Sequence, residues 1–379
     1  MLIVYFNSPG GVSVYIQNLI KYLNEEKVDF DVLEYHYSKT DKCRMLKTSN
    51  HYYASLSFFS SRREIYNLLA PAFRDQNIIV CNDSLELEVI NYLKVDTRVV
   101  YILHGHIQHY SNILDERKYL IDYVFCVSKS LMVQYDQLFK EMKFYCTPPL
   151  TEDSPLPIRE FGENPLRIFF AGRLEISKGS DILNRTASLL LERQDIEITY
   201  FLPLDGNSVS QIAAIPNAVC VTYGSKNSCI LEQFRNFDIL LFPSRTEGFG
   251  LVVMEGMKRG VVPFVLADAL GPRDFVENNV TGFSFAENEF INGSIRLIEL
   301  LLVNKNKLNK IKRSAHEFAN NTYSFRKLGD IFLNSIKEIS GLDKHRKTYS
   351  KTSFKFPERI LPFGMYRSCR SIYSKICDR

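Results

Sequence analysis

Short apolar runs alternate with amphipathic stretches along most of the chain. In the stretch Val12–Leu23, apolar residues recur every three or four positions and form one stripe, which is typical of a helix with one buried face. The short apolar runs between such stretches indicate buried strands, and strands that alternate with helices predict an α/β fold with parallel sheets. The expected strands are Leu2–Phe6, Phe30–Tyr35, Ile78–Cys81, Arg98–Leu103 and Tyr123–Val127, then Leu166–Ala171, Ile196–Phe201, Val219–Thr222, Ile239–Phe242, Pro263–Leu266 and Gly282–Phe285.

A proline-rich segment interrupts this alternation between residues 146 and 165. Proline restricts φ and lacks an N–H group, so this density indicates an extended linker. We therefore predict two doubly wound domains, at residues 1–155 and 156–320, with a closing helix at 321–342 that returns to the first domain. Ligands bind at the carboxyl ends of the strands in such sheets, and two facing sheets would enclose one cleft.

Composition agrees with two cores, and charge sets the C-terminal tail apart. The chain has 379 residues, of which 45% are hydrophobic, and its net charge of only +4 argues against a general nucleic-acid binder. The tail, residues 343–379, has ten Lys or Arg against three Asp or Glu and so carries +7, which leaves −3 for the rest. Its last part has apolar residues at helical spacing, which predicts binding to an anionic membrane surface. A tail that packs on the first domain or stays disordered is the alternative.

Targeting and redox signals are sparse. Residues 2–6 run into a Gly-Gly loop without a basic leader region, and no apolar run reaches the roughly 18 residues of a spanning helix. The eight cysteines include no Cys-x-x-Cys pair, which favours a reduced setting. We therefore expect a cytoplasmic protein, with peripheral contact to the inner face of the cytoplasmic membrane.

The strongest chemical signal is a strand–turn–helix segment with two acidic residues. It runs from Pro243 to Glu255 and reads Pro-Ser-Arg-Thr-Glu-Gly-Phe-Gly-Leu-Val-Val-Met-Glu. Free N–H groups at the helix start can bind a diphosphate. Glu247 precedes the turn and Glu255 lies about two turns into the helix, so their carboxylates can reach different parts of one extended ligand. The alternative, a solvated carboxylate pair at a structural corner, is disfavoured by the strand, the glycines and the helix start.

A basic motif follows the first strand of the second domain. Arg173 and Lys178 stand in the sequence Arg-Leu-Glu-Ile-Ser-Lys-Gly, directly after Leu166–Ala171 and a glycine. Cations at the carboxyl end of a strand suit a departing diphosphate, with Arg as a planar fork and Lys as a point charge. Alone, the motif reads as two exposed loop cations, but its pairing with the acidic segment favours function.

Together the two motifs resemble the retaining GT-B glycosyltransferases of family 4. Arg-x4-Lys is followed about seventy residues later by Glu-Gly-Phe-Gly-Leu-x3-Glu, with Gly271-Pro-Arg-Asp and Val280-Thr-Gly-Phe downstream. The resemblance covers Met1 to about Ile339 and departs at Gly256, where the family usually has Ala. It implies a GT-B fold, in which two Rossmann-like domains face an interdomain cleft.

The resemblance also implies a role for each matching residue. Arg173 and Lys178 would hold the donor diphosphate and stabilise the charge that grows as it leaves. Glu255 would bind the nucleotide ribose, and Glu247 the hydroxyls of the donor sugar. Other positions would contact the sugar, phosphates or base mainly through the backbone, namely Gly248, Phe249, Gly250, Leu251, Gly224 and Ser225.

Two residues of the first domain complete the predicted site. Gly11, in a Gly-Gly pair after the first strand, is by itself an ordinary turn residue, but the resemblance makes it a close-approach position for the donor. His104 follows the strand Arg98–Leu103, and the resemblance places it beside the donor sugar. His106 and His109 lie nearby, yet no carboxylate or Cys on the same element completes a metal site, so we expect no metal.

The reaction predicted from these residues is transfer of a sugar from a nucleoside-diphosphate sugar to a hydroxyl of a glycan or lipid-linked glycan, as in bacterial surface polysaccharide assembly. The cationic pair would neutralise the leaving diphosphate, so no cofactor is expected. The alternatives are a nucleotide-sugar epimerase, a glycogen-synthase-like polymerase, or a non-catalytic partner that binds nucleotide-sugar or glycan. Residues 36–62 and 104–118, rich in Tyr, His, Lys and Ser, are expected to be loops on the acceptor side.

Overall fold

The computed structural model describes residues 1–8, 10–40, 42–154, 158–162, 165–203, 219–223, 229–342 and 349, without the side chains of Tyr223 and Cys229. Among these residues, the first sheet has the strand order β3-β4-β2-β1-β5-β6-β7-β8, and every pairing is parallel except β3 with β4. Its strands are β1 Leu2–Phe6, β2 Asp31–Ser38, β3 Arg44–Thr48, β4 His51–Ser57, β5 Ile78–Cys81, β6 Arg98–Leu103, β7 Tyr123–Cys126 and β8 Phe144–Cys146. Its helices are α1 Gly11–Glu25, α2 Arg62–Phe73, α3 Ser84–Leu93, α4 Gln108–Arg117 and α5 Lys129–Leu138.

The second sheet is parallel throughout its described strands, in the order β11-β10-β9-β12-β13-β14. The strands are β9 Leu166–Ala171, β10 Ile196–Pro203, β11 Val219–Tyr223, β12 Ile239–Phe242, β13 Val262–Leu266 and β14 Phe283–Phe285. The helices are α6 Ser180–Leu190, α7 Cys229–Gln233, α8 Leu251–Lys258, α9 Phe290–Val303, α10 Lys305–Thr322 and α11 Phe325–Ser340.

Burial explains why the central strands are continuous apolar runs. Strands β5 and β12 are buried along their whole length, because helices cover both faces of a parallel sheet. In α1, by contrast, Tyr15, Ile16, Leu19 and Leu23 form one buried stripe while the opposite face is polar. The predicted architecture of two parallel-sheet α/β domains is confirmed.

The expectation of loops at residues 36–62 and 104–118 was wrong for much of both segments. Strands β3 and β4 form an antiparallel hairpin that extends the first sheet at one edge. Residues 108–117 form α4, in which only Ile113 and Leu114 are buried. An element at an edge buries few side chains and so leaves a weak periodic pattern; Leu46 of β3, for example, is 62% exposed.

The last described helix, α11, packs against the first domain. The Tyr22 hydroxyl of α1 donates to Asp330 Oδ1 at 2.5 Å, and the Tyr145 hydroxyl donates to Glu338 Oε1 at 3.0 Å. The exact domain limits stay predictions. Of the tail, the structure describes Tyr349, whose hydroxyl donates to the backbone oxygen of residue 95 at 2.7 Å, and the predicted amphipathic segment lies outside the described residues. Within the described chain, no helix combines the length and the hydropathy needed to cross a bilayer.

Candidate active site

Two of the predicted charged residues meet at the carboxyl ends of β9 and β12. Lys178 lies in the short 3-10 turn before α6, and its Nζ is 2.5 Å from Glu247 Oε1. The same oxygen accepts a hydrogen bond from Ser244 Oγ at 2.9 Å. Strands β9 and β12 are neighbours in the sheet, so the loops that follow them are adjacent. The basic and acidic motifs, about seventy residues apart in sequence, therefore form one partly buried ion pair.

Arg245 ties these two loops together, and the sequence analysis missed it. Its guanidinium donates to Ile176 O at 2.6 Å, forms a bidentate pair with Asp181 at 2.8 and 2.9 Å, and pairs with Glu287 at 2.7 Å. A bidentate pair fixes orientation as well as charge. Arg245 thus holds the turn that carries the lysine against the turn that carries the glutamate. Its place just after β12, two residues before Glu247, was the available signal.

Arg173 is the exposed member of the basic motif. Its side chain is 55% exposed, and its Nη1 lies 3.2 Å from Glu175 Oε1. Exposed ion pairs of this kind contribute only about 0–1 kcal/mol. Glu175 therefore restrains Arg173 weakly, and the guanidinium can turn toward an anion at the end of β9 at little cost.

The N-termini of α1 and α8 approach each other across the cleft. Gly250, with a φ of 88°, caps α8 and Gly10 caps α1, and neither cap supplies a side-chain hydrogen bond to the first turn. A Cβ atom built on Gly11 would lie 3.1 Å from Leu251 Cδ1, so the first residues of the two helices are close. First-turn N–H groups have no intrahelical acceptor and carry the positive end of the helix dipole. Two such ends at one place favour an anion.

Gly248 is one of the points where the two domains touch. A Cβ atom there would lie 1.9 Å from the backbone oxygen of His104, a distance that no side chain tolerates. Next to it, Phe249 is buried, with its ring 5.2 Å from that of Phe275. The turn between β12 and α8 is therefore held by the first domain on one side and by an aromatic contact on the other.

His104 extends from the end of β6 beside Asn82, which follows the neighbouring strand β5. Its Nε2 is 2.6 Å from Asn82 Oδ1, and its ring packs edge-on against Tyr15 at 5.8 Å between centroids. Burial lowers the pKa of His104 to about 3, although the Asp83 carboxylate acts in the opposite direction. His104 is therefore neutral near pH 7. The sequence analysis missed Asn82, although adjacent parallel strands bring their carboxyl ends together.

Glu255 is almost completely buried on α8, in contrast to the ion-paired Glu247. Burial raises the pKa of Glu255 to about 7, against the opposing effect of the Arg259 and Lys258 cations. Its carboxylate receives no hydrogen bond from the described residues. A carboxylate has only acceptor oxygens when it is ionised, so Glu255 can accept hydrogen bonds from the hydroxyls of a ligand.

A further contact across the cleft involves Asp274, the last residue of the Gly-Pro-Arg-Asp piece. Its carboxylate accepts hydrogen bonds from the backbone N–H groups of Lys129 at 2.6 Å and Ser130 at 3.1 Å, and from the Ser130 hydroxyl. These N–H groups begin α5, so an acidic residue of the second domain caps a helix of the first. The motif was visible in the sequence, but its partner was not.

The structure thus brings most of the predicted site residues to one cleft. Arg173 follows the same strand as Lys178, and Glu255 lies on the helix that begins at the glycine turn. The residues in this cleft are Gly11, His104, Arg173, Lys178, Glu247, Gly248, Phe249, Gly250, Leu251 and Glu255. Gly224 and Ser225 lie outside the described residues. The roles of these residues stay predictions.

In the part of the chain that the structure describes, no three His, Cys, Asp or Glu side chains gather as a metal-binding group. His106 and His109 contact different residues: His106 lies 3.0 Å from Gln134, and His109 lies 3.7 Å from Asp83. The Asp-Phe-Asp sequence at residues 29–31 lies at the amino end of β2, whereas the cleft lies at the carboxyl ends of the strands.

Comparison with known families finds a match in the middle of the chain. Residues 152–318 match the family described as glycosyl transferases group 1. A D-inositol 3-phosphate glycosyltransferase of Pseudarthrobacter chlorophenolicus is 29% identical over 113 residues, which cover 27% of this chain and 27% of that protein. The matched stretch therefore spans only about a quarter of that relative's length.

Two solved structures resemble nearly the whole chain. The pneumococcal O-GlcNAc transferase GtfA, in complex with UDP and GlcNAc, has a TM-score of 0.70 at 9% identity, over 90% of this chain and 99% of its own. A Staphylococcus aureus TarM variant, in complex with Fondaparinux, alpha-GlcNAc-glycerol and UDP, has a TM-score of 0.70 at 11% identity, over 88% and 99%. At these identities the likeness shows the fold alone. The predicted GT-B fold is confirmed.

Proposed function

We propose that the chain is a glycosyltransferase that moves a sugar from a nucleoside-diphosphate sugar to a hydroxyl of a glycan or lipid-linked glycan, with retention at the anomeric carbon. One observation carries the proposal. The uncapped N-termini of α1 and α8 converge in the cleft that contains Lys178 and Arg173. Positive potential from both domains therefore surrounds one position suited to a diphosphate.

The proposed chemistry follows from this potential. As the bond between the anomeric carbon and the phosphate oxygen breaks, negative charge grows on the diphosphate, and Arg173, Lys178 and the helix ends stabilise it. The acceptor hydroxyl forms the new glycosidic bond on the same face, and its proton goes to the departing phosphate oxygen. Nucleoside diphosphate and the glycosylated acceptor are the products. Cationic side chains supply the charge stabilisation, so the proposal requires no metal.

The carboxylates have separate proposed tasks. Glu255, buried and without a donor, binds hydroxyls of the nucleotide ribose, while Glu247, held by Lys178 and Ser244, binds hydroxyls of the donor sugar. Both solved neighbours are named as complexes with UDP, which supports UDP-sugars as the first donors to test. With the basic tail near an anionic inner membrane surface, the proposed setting is cytoplasmic assembly of a surface polysaccharide.

The test is a panel of UDP-, GDP-, ADP- and dTDP-sugars, measured first by thermal stabilisation and then by nucleoside-diphosphate release with candidate acceptors. We expect at least one donor to stabilise the protein and transfer to proceed in chelator, with NMR showing the donor's anomeric configuration in the product. Activity that chelator abolishes and manganese restores, or an inverted product, would contradict the mechanism.

Other outcomes of the same panel identify the alternatives. An epimerised donor without transfer would indicate an epimerase, and a long homopolymer would indicate a polymerase. If donors stabilise the protein but no bond is cleaved with any acceptor, the chain is a binding partner rather than an enzyme.

A further inference from the structure

Asn82 connects the first strand of the first domain to the predicted catalytic histidine. Its side chain is 6% exposed and lies at the carboxyl end of β5. Its Nδ2 donates to Val4 O of β1 at 2.7 Å, and its Oδ1 is 2.6 Å from His104 Nε2. The amide therefore bridges the backbone of a central strand and an imidazole in the cleft.

The amide has only one chemically sensible orientation. Rotation by 180° would place Oδ1 against the carbonyl oxygen of Val4, and two acceptors would then face each other at hydrogen-bond distance. Oδ1 consequently faces His104. Since a carbonyl oxygen only accepts, the Nε2 atom of His104 must carry the proton.

The neutral imidazole has a single N–H, so a proton on Nε2 leaves Nδ1 with a free lone pair. Among the described residues, no group forms a hydrogen bond with Nδ1. The surrounding groups do not reverse this assignment. Asp83 favours the charged ring, but its effect is smaller than that of burial, and one of its oxygens accepts from Ser84 N at 2.7 Å. Tyr15, on α1, is a neutral phenol because burial raises its pKa.

We infer that Asn82 is a positioning residue, which fixes His104 as the Nε2–H tautomer so that Nδ1 accepts a hydrogen bond from a ligand. The inference rests on the proposed function for the identity of that ligand, a hydroxyl of the donor sugar. The backbone oxygen of His104 lies against Gly248, the residue that follows Glu247. Two hydrogen-bond acceptors, His104 Nδ1 and the Glu247 carboxylate, therefore belong to residues at the contact between the domains. Acceptors on both sides select neutral hydroxyl-bearing sugars over groups that offer only oxygen lone pairs.

The tautomer can be measured without any substrate. The full chain is labelled with 15N-histidine, and His104→Gln assigns the His104 signals by their disappearance. We expect a protonated Nε2 and an unprotonated Nδ1, unchanged between pH 8 and pH 5. A protonated Nδ1, or a ring that titrates near the ordinary value of about 6.5, would overturn the inference.

Asn82→Asp tests the positioning role, because a carboxylate beside Nε2 stabilises the imidazolium. The His104 titration should move upward by at least about one pH unit. Asn50→Asp is the matched control, since Asn50 Nδ2 likewise donates to a backbone oxygen, that of Phe30 at 3.0 Å, and has no contact with His104. An unchanged His104 titration in Asn82→Asp would contradict the role. If this variant fails to fold, Asn82→Ala is measured in its place: without the Oδ1 acceptor, part of the His104 population should shift to the Nδ1–H tautomer, and an unchanged Nε2–H tautomer would contradict the role.

Kinetics then link the tautomer to transfer. In Asn82→Asp, kcat should fall about tenfold at pH values where the ring is protonated and recover as the pH rises, because recovery follows the return of the Nδ1 lone pair. A loss that is equal at all pH values would indicate a merely structural role. The NMR experiment and the transfer assay test different claims, so one claim can be contradicted while the other stands. A wrong tautomer counts against this inference alone, and absence of any transfer counts against the proposed function alone.

Discussion

The two faces of the cleft use different electrostatics. On the second-domain face, the charged groups are partly exposed and form ion pairs, Lys178 with Glu247 and Arg173 with Glu175. On the first-domain face, a neutral imidazole is held by the buried amide of Asn82, and Gly11 contributes only backbone. An exposed cation such as Arg173 can reorient when a leaving group becomes anionic, whereas a hydrogen-bonded neutral pair keeps its geometry. In the proposed mechanism, the second-domain face stabilises charge and the first-domain face positions the sugar.

The same contrast appears within the acidic motif. Glu247 already has a lysine and a hydroxyl as partners, while Glu255, eight positions later, is buried without a donor. Two glutamates of one short segment therefore have opposite environments, because one precedes the glycine turn and the other lies inside the helix that follows it.

The largest effect on transfer is expected from removing the two cations of the basic motif. Lys178→Ala and Arg173→Ala should each lower kcat by about 100-fold, because each removes positive charge from the developing diphosphate. Transfer assays with melting curves measure this effect. Lys118→Ala is the matched control, since it breaks an ion pair of 2.8 Å with Glu141 that is about half exposed. Near-normal turnover in both cation variants, with intact melting curves, would place the chemistry elsewhere.

The next effect concerns the contact that holds the two faces together. Gly248→Ala would force its Cβ against the backbone oxygen of His104, so the domains must separate locally and activity should fall about 10- to 100-fold. Gly162→Ala is the control, because a Cβ there meets nothing within 4 Å. Full activity of Gly248→Ala would show that the faces do not need this approach.

Glu255→Gln should affect transfer less than these variants do, and it should change the free energy of unfolding in a pH-dependent way. The folded protein raises the pKa of Glu255 to about 7 from an ordinary 4.5, so its ionised form costs stability as the pH rises through that interval. Replacement by a neutral amide should therefore stabilise the fold at pH 8 by on the order of 1–3 kcal/mol and have little such effect at pH 4.

The same variant should bind the donor about tenfold more weakly, because Gln is a poorer acceptor for ribose hydroxyls than a carboxylate. Denaturant titration at the two pH values and donor titration measure the two effects. Destabilisation at pH 8 would mean that the ionised carboxylate is well satisfied, contrary to its burial without a donor.

The smallest effect on catalysis is expected from the tail, which belongs to neither face. A chain that ends at Leu342 should keep its kcat with a soluble acceptor but lose co-sedimentation with anionic vesicles at low salt. Neutral vesicles are the control for charge. Equal binding of the full and shortened chains, or no binding by either, would remove the tail as the anchor.

The sequence alone determined the class of fold and the two charged motifs. Buried strands such as Ile239–Phe242 form uninterrupted apolar runs, and the glycine turn with its two glutamates is contiguous, so both are visible without coordinates. The edge strand β3 was missed because it buries too little to show alternation, whereas β4 buries Tyr52, Ala54 and Leu56 at alternate positions, a pattern that the sequence analysis overlooked.

Only the tertiary structure decided how the motifs combine. The Lys178–Glu247 pair joins residues about seventy positions apart, and the Asp274 cap on α5 joins the two domains. The pKa values of Glu255 and His104 depend on burial, which is a property of the packed cleft and not of local sequence. The tautomer of His104 depends on a hydrogen bond between Asn82 and a third strand. Local patterns specify which groups are present, and packing sets their distances, their desolvation and hence their chemistry.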